Sequence, residues 1–340
     1  MSAARSFRSY LTLPLLVSSL LLTAAGCTDD TDDLSLKHQD TVTVKLTSQP
    51  LYPEGVQFDT QNNCFVVGSE TLGTIGQVRD DGSYTAFIND VSLVSSIGIN
   101  VDGQRDRLLV AVSDPGYNTA RTKTSTLGKL ARVVVFNSNT GVRTKVISLD
   151  TLFRPGKPHF ANDIALDASG NAYVTDSYSP IIYQINSQNT PSPFKQDTLF
   201  APSAAGTIGL NGITYSAKGY LLAVKSDTGT LLKIPISNGA GGTVSKVTTD
   251  LDLTGGDGIK LQDDSTLLVV LNKQNKVVQL RTKNAWASSR LVGTFTTPDV
   301  YPTSLAQRTI YEPYVLYSHL NALQGNQAPV TEFIIQKVKF

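Results

Sequence analysis

Runs of four to eight Val, Ile, Thr, Tyr and Phe residues fill the chain from residue 41 onward, parted by clusters of Gly, Asn, Asp and Ser. That is the patterning of β-strands bounded by turns. No apolar pattern of period 3.6 is sustained; Asp150–Phe153 could form one helical turn. The reading is an all-β chain.

The strands recur as one repeated unit. In His159-Phe-Ala-Asn-Asp-Ile-Ala-Leu-Asp a polar pair, Asn162-Asp163, opens a short apolar strand, and a second strand follows at Asn171–Asp176. Glu54-Gly55, Ile97-Gly98, Asn211-Gly212, Asp257-Gly258 and Thr303-Ser304 open the same sequence of events. The spacing is roughly 45–50 residues with about four strands per unit, the signature of propeller blades. One gap is longer and is absorbed by the polar insertion Asp114–Leu130, a candidate lid. The sixth unit is one strand short at the C-terminus, and Thr41-Val-Thr-Val-Lys-Leu46 is a spare strand at the N-terminus. Pairing the two closes the ring and removes an open sheet edge. The expectation is a six-bladed β-propeller over 41–340 whose last blade is completed by an N-terminal strand.

Inner strands of a propeller line its channel, so the residue opening each one faces the axis at one end. Aligned, these are Glu54, Ile97, Asn162, Asn211, Asp257 and Thr303. Two carboxylates and two amide oxygens from different blades form an oxygen-only donor set. Hard cations such as Ca²⁺ take such sets, whereas the absence of His and Cys from this ring disfavours zinc and copper. Without a cation, Glu54 and Asp257 would repel one another. Taken singly, Asn-Gly and Asp-Gly are ordinary turn dipeptides; four oxygen side chains at one offset in the repeat argue for a metal site.

The N-terminus adds a location. Arg5 and Arg8 precede an apolar core at Leu11–Leu22 that is too short to span a bilayer unaided, so residues 1–26 read as a signal peptide. Leu22-Thr-Ala-Ala-Gly-Cys27 resembles a bacterial lipobox, with Ala24 where Leu is usual, and so makes Cys27 the lipidated residue. Residues 27–40, in which Cys27 is followed by Thr-Asp-Asp-Thr-Asp-Asp33, read as an acidic flexible tether. The cysteine with its acidic cluster resembles the surface-export signal of Bacteroidetes lipoproteins; a solvated linker facing the periplasm is the alternative. Either places the protein on the outer membrane through its lipid, on the periplasmic or the cell-surface side. The other cysteine, Cys64, lies in an apolar run and reads as a buried small hydrophobe, so no intramolecular disulfide is expected. The 340 residues are 40% apolar and 17% charged with a formal net charge of +1 and no basic stripe, which argues for a full core and against nucleic acid as a partner. A monomer is expected.

The repeat resembles the senescence-marker/gluconolactonase family, which includes regucalcin and is more distantly related to diisopropyl fluorophosphatase, paraoxonase and strictosidine synthase. The matching pieces are Glu54-Gly55, the blade Asn162-Asp163 to Asp176, Asn211-Gly212 and Asp257-Gly258. The resemblance implies a six-bladed propeller with a divalent ion, usually calcium, in its channel. It implies Glu54, Asn211 and Asp257 as ligands, Asn162 as a ligand or a substrate contact, and hydrolysis of lactones or related esters. Sugar-lactone members carry Arg two residues before the third-blade Asn; this chain has Phe160. Ile97 also adds no oxygen, so both changes make the pocket more apolar.

The chemistry expected is metal-assisted hydrolysis of a lactone or activated ester. Asp257 is the candidate base or nucleophile and His159 a second base. Asn162, Phe160, Lys225 and Thr303 are candidate substrate contacts. No Gly-x-Ser-x-Gly elbow, His-Glu-x-x-His pair or phosphate loop is present. Gly206–Gly212 is glycine-rich and reads as the approach to blade four. The rival reading is a non-catalytic propeller with a structural calcium and a ligand or protein on its open face.

Overall fold

The computed structural model describes residues 38–340, Ser48 excepted. The signal segment 1–26, the lipidation site Cys27 and the greater part of the tether lie outside the described residues. The tether's last residues are docked: His38 Nδ1 lies 3.0 Å from Glu312 Oε2, and Asp40 O accepts from Lys337 N at 2.6 Å.

Six antiparallel sheets form the six blades. Their inner strands are Val56–Asp59, Ser95–Asp102, Ala161–Leu166, Leu210–Ser216, Gly256–Asp263 and Pro302–Gln307. The second strands Cys64–Val67, Arg107–Ser113, Ala172–Asp176, Tyr220–Lys225, Thr266–Leu271 and Pro313–Tyr317 are buried at every residue. The packing explains this. Six apolar clusters lie at the six junctions between neighbouring blades, for example Leu109 and Ala111 against Ile164 and Val174, or Phe65 and Val67 against Tyr314 and Leu316. A strand near the axis is covered on both faces by the blades beside it, so its sequence is continuously apolar rather than alternating.

The last blade has the order Thr41–Lys45, Glu332–Lys337, Pro313–Tyr317, Pro302–Gln307, so the N-terminal strand is its outer edge. Thr41 faces Gln336 and Lys45 faces Glu332 in antiparallel register. Arg308 of blade six reaches across to blade one, where it pairs with Asp80 and lies 4.4 Å from the ring centre of Phe58.

Two details depart from a regular four-stranded repeat. The strand-like run Val244–Thr249 between blades four and five is divided: Ser245–Lys246 pairs with blade four, and Thr248–Thr249 runs parallel to Ser288–Ser289 of blade five. Strand propensity is the same for either edge, and the chain is crossing between them. In blade six a short helix, Leu320–Gln324, intervenes between the second and third strands. Among the described residues no helix is long and apolar enough to cross a membrane.

Candidate metal centre and active site

Five of the six dipeptides that open the inner strands sit at bulges, not at turns; Glu54-Gly55 stands just before a strand with regular pairing. Pairing with the second strand shifts register between Ser96 and Ile99, Ala161 and Ile164, Leu210 and Ile213, Gly256 and Ile259, and Pro302 and Leu305. An extra residue in one strand re-aims a side chain out of the ladder; here Ile97, Asn162, Asn211 and Asp257 turn into one cavity, while Thr303 is buried against blade one. The second residue is where the next blade presses in. A Cβ on Gly212 would stand 2.2 Å from Asp257 O, and one on Gly98 would stand 2.3 Å from Asn162 O. Only glycine lets neighbouring mouths approach this closely.

Glu54, Asn162, Asn211 and Asp257 all line one cavity of about 490 Å³. Their exposures are 7, 4, 5 and 4%. Glu54 Oε2, Asn162 Oδ1 and Asp257 Oδ1 are buried oxygens with no hydrogen-bond partner. Such groups are costly to leave unsatisfied. In Asn162 and Asp257 the other polar atom is held. Ser177 Oγ donates to Leu210 O at 2.6 Å and therefore accepts from Asn162 Nδ2 at 2.9 Å, which leaves the Asn162 carbonyl oxygen facing the cavity. Asn272 Nδ2 donates to Asp257 Oδ2 at 2.8 Å, which frees Oδ1. Burial raises Glu54 well above the usual carboxylate range, and the nearby charges of Asp257, Asp163 and Glu70 push it the same way. Burial also raises Asp257, against the hydrogen bonds of Asn272 and Asn211. Among the described residues no three His, Cys, Asp or Glu side chains gather at metal-ligand spacing. The donor set is carboxylate plus amide oxygen, which fits a hard divalent cation completed by water and does not fit zinc.

Other expected site residues are placed differently. Phe160 lines the cavity with its ring 5.3 Å from that of Tyr178. His159 does not line it: the side chain is fully buried, with Nδ1 2.7 Å from Asp176 Oδ2 and Nε2 3.3 Å from Arg154 O. Burial opposes charge on this imidazole, but the hydrogen bond and charge of Asp176 prevail and its pKa is raised. The second-base assignment is therefore corrected. His159 braces Asp176, whose Oδ1 accepts from the backbone N–H groups of Phe160 and Tyr178 and so fixes the aromatic wall. Lys225 is not a pocket cation; its Nζ donates to Ala201 O at 2.6 Å and lies 3.6 Å from Asp227 Oδ1. Thr303 is not a substrate contact: fully buried, it donates to Glu54 O at 2.8 Å and ties blade six to blade one.

The cavity also holds residues that the reading of the inner strands missed. Glu70, Tyr178, Asp227 and Asn272 line it from the ends of second strands. They belong to a second repeated dipeptide, Ser69-Glu70, Ser177-Tyr178, Ser226-Asp227 and Asn272-Lys273, that a comparison of strand ends would have found. Tyr301 and Leu320 come from blade six, and Gly206–Ile208 contributes wall rather than a mere approach to blade four. Pro115 and Tyr117 bring in the insertion. That segment is stapled rather than hinged: Asp114 accepts from Thr122 and Thr126, Asn118 Nδ2 donates to Val94 O at 2.6 Å, and Arg121 donates to Leu93 O at 2.6 Å.

No protein-family model and no curated protein sequence matches the chain. Solved structures do. The allergen Mala s 1 of Malassezia sympodialis is 17% identical, with 88% of this chain covering 96% of that one at a TM-score of 0.69. A luciferin-regenerating enzyme is 14% identical, with coverage of 88% and 96% and a TM-score of 0.61. The gluconolactonase XC5397 of Xanthomonas campestris is 13% identical, with coverage of 88% and 91% and a TM-score of 0.58. At these identities the likeness is one of fold: the chain shares the propeller of gluconolactonase structures, the group whose motifs its own repeat resembles.

Proposed function

We propose that the protein is a calcium-dependent hydrolase of a lactone or related ester, acting in the channel-mouth cavity and held at the outer membrane by a lipid on Cys27. The observation that carries the hydrolase reading is the set of buried, unpartnered oxygens on Glu54, Asn162 and Asp257 facing one cavity. Glu54, Asn162, Asn211 and Asp257 would hold the ion, which when bound supplies Lewis-acid polarisation of a carbonyl and stabilises the charge that develops on it.

The chain's own groups do the rest. Asp257, steadied through Oδ2 by Asn272, presents Oδ1 to the cavity and is raised by burial from the carboxylate range, which suits a group that takes a proton from water. Phe160, Tyr117, Tyr178 and Tyr301 give apolar surface to bury a substrate's body and exclude water. The fold of the Xanthomonas campestris gluconolactonase supports a lactone ring as the substrate class. Phe160, in the place of an arginine that grips hydroxyls, favours a less hydroxylated ring than a sugar lactone.

The second reading is a non-catalytic binding propeller with a structural ion. The withdrawal of His159 behind the cavity wall favours it, since Asp257 must then be both ligand and base. A panel of lactones and aryl esters, assayed with calcium, tests the two. Wild type turns over at least one class, and Asp257→Asn and Glu54→Gln each lower kcat/KM by about 100-fold or more. Full turnover by both variants ends the site assignment. A wild type that melts higher with calcium, reversibly with EDTA, yet hydrolyses nothing establishes the binder.

A further inference from the structure

One acidic group in the cavity has no task in this mechanism. Glu70 lies in the turn just beyond Cys64–Val67, the second strand of blade one; it is 5% exposed, lines the cavity, and among the described residues its carboxylate accepts no hydrogen bond. Burial and the charge of Asp257 raise it to about 8. Tyr117, Tyr178 and Tyr301 line the same cavity, and burial first, with the charge of Glu70 adding to it, raises each phenol.

Charge accounting isolates this group. Glu54 and Asp257 together balance a divalent ion, and Lys225 stands 3.6 Å from Asp227. Glu70 is left over, a buried carboxylate facing empty volume. Burial holds it protonated near neutral pH, and a cation entering the cavity is what would let it ionise. A second metal ion is a poor one, because hard cations want six or more oxygens and only one carboxylate is present. Aromatic faces beside a carboxylate instead match an alkylated ammonium, which draws on the ring quadrupoles as well as the charge. Lys273 at the rim is exposed, where water screens its repulsion.

We propose that the cavity carries a subsite for an organic ammonium group, formed by Glu70 and the rings of Tyr117, Tyr178 and Tyr301, so that the preferred substrate is a cationic one. This rests on reading the cavity as the substrate site, and not on the reaction performed there.

The test is equilibrium binding in saturating calcium, with choline and its uncharged isostere 3,3-dimethyl-1-butanol as probes, followed by calorimetry on the intact domain. Choline binds about tenfold or more tightly than the isostere, and Glu70→Gln abolishes that preference while the variant still melts cooperatively and still binds calcium. Glu70→Asp, which keeps the charge, retains part of it and guards against a variant that fails to fold. Equal binding of the two probes, or a preference that survives in Glu70→Gln, overturns the subsite. Choline preference with no ester turnover would sink the hydrolase reading alone; ester turnover with no choline preference would sink the subsite alone.

Discussion

Asn272 donates its side-chain N–H to Oδ2 of Asp257 at 2.8 Å while its own carbonyl oxygen accepts from Lys273 N at 2.7 Å. Both ends of the amide are committed, so it cannot flip without breaking two bonds. It thereby holds the Asp257 carboxylate with Oδ1 turned to the cavity. Partners of this kind set the orientation of a ligand and commonly govern affinity. Asn272→Leu, which removes the donor and keeps the volume, is expected to weaken calcium binding about 10–100-fold, measured by calorimetric titration. An unchanged Kd would show that Asp257 is held by the backbone bulge alone.

The raised acids of the cavity give the metal-free protein a defined pH response. Glu54, Asp257, Glu70 (about 8) and Asp163 (about 6) all have folded pKa values above their unfolded ones, with burial as the first cause in each. Between the ordinary carboxylate range and about pH 8 the folded state holds more protons than the unfolded state, so stability falls as pH rises through that window. His159, raised by Asp176 against burial, adds to the fall; His319, lowered by burial, opposes it. In EDTA the Tm at pH 8 is therefore expected to lie below that at pH 5.5. A divalent ion competes with those protons, so the calcium-induced rise in Tm grows with pH. A Tm in EDTA that rises over this range would contradict the burial of these acids without a counter-ion.

The ring of oxygen side chains at the cavity was legible because the dipeptide recurs. Glu54, Asn162, Asn211 and Asp257 occupy one offset in a repeat, and a repeat of strands admits few closed arrangements. The apolar second strands were equally readable, since burial on both faces leaves no alternation to misinterpret. What stayed hidden depended on direction rather than residue type. His159 precedes Asn162 by a short stretch of chain, yet its side chain turns behind the strand to Asp176, which no spacing reveals. Thr303 stands at a mouth and Lys225 at the end of a second strand, but they spend their polar atoms on the Glu54 and Ala201 backbone carbonyls. Glu70 went unnoticed because the repeat was aligned at the starts of inner strands, whereas the second tier of the cavity is built from the ends of the next ones.

Closure of the ring makes the last prediction. Val42 and Val44 are 1% and 0% exposed and join the cluster between blades six and one with Phe65, Tyr314, Leu316 and Phe333. Each buried valine is worth about 1.5–3 kcal/mol, and the strand also satisfies the free edge of Glu332–Lys337. Without Thr41–Lys45 the last blade loses its outer strand, the junction to blade one opens, and the mouth tied by Thr303 to Glu54 loosens with it. Deleting residues 41–46 is therefore expected to abolish cooperative unfolding, and Val44→Asp to cost about 3 kcal/mol or more by burying an unpaired charge. Urea denaturation followed by circular dichroism measures both. A deletion variant that still melts cooperatively near the wild-type midpoint would mean that the remaining strands of blade six seal the ring by themselves.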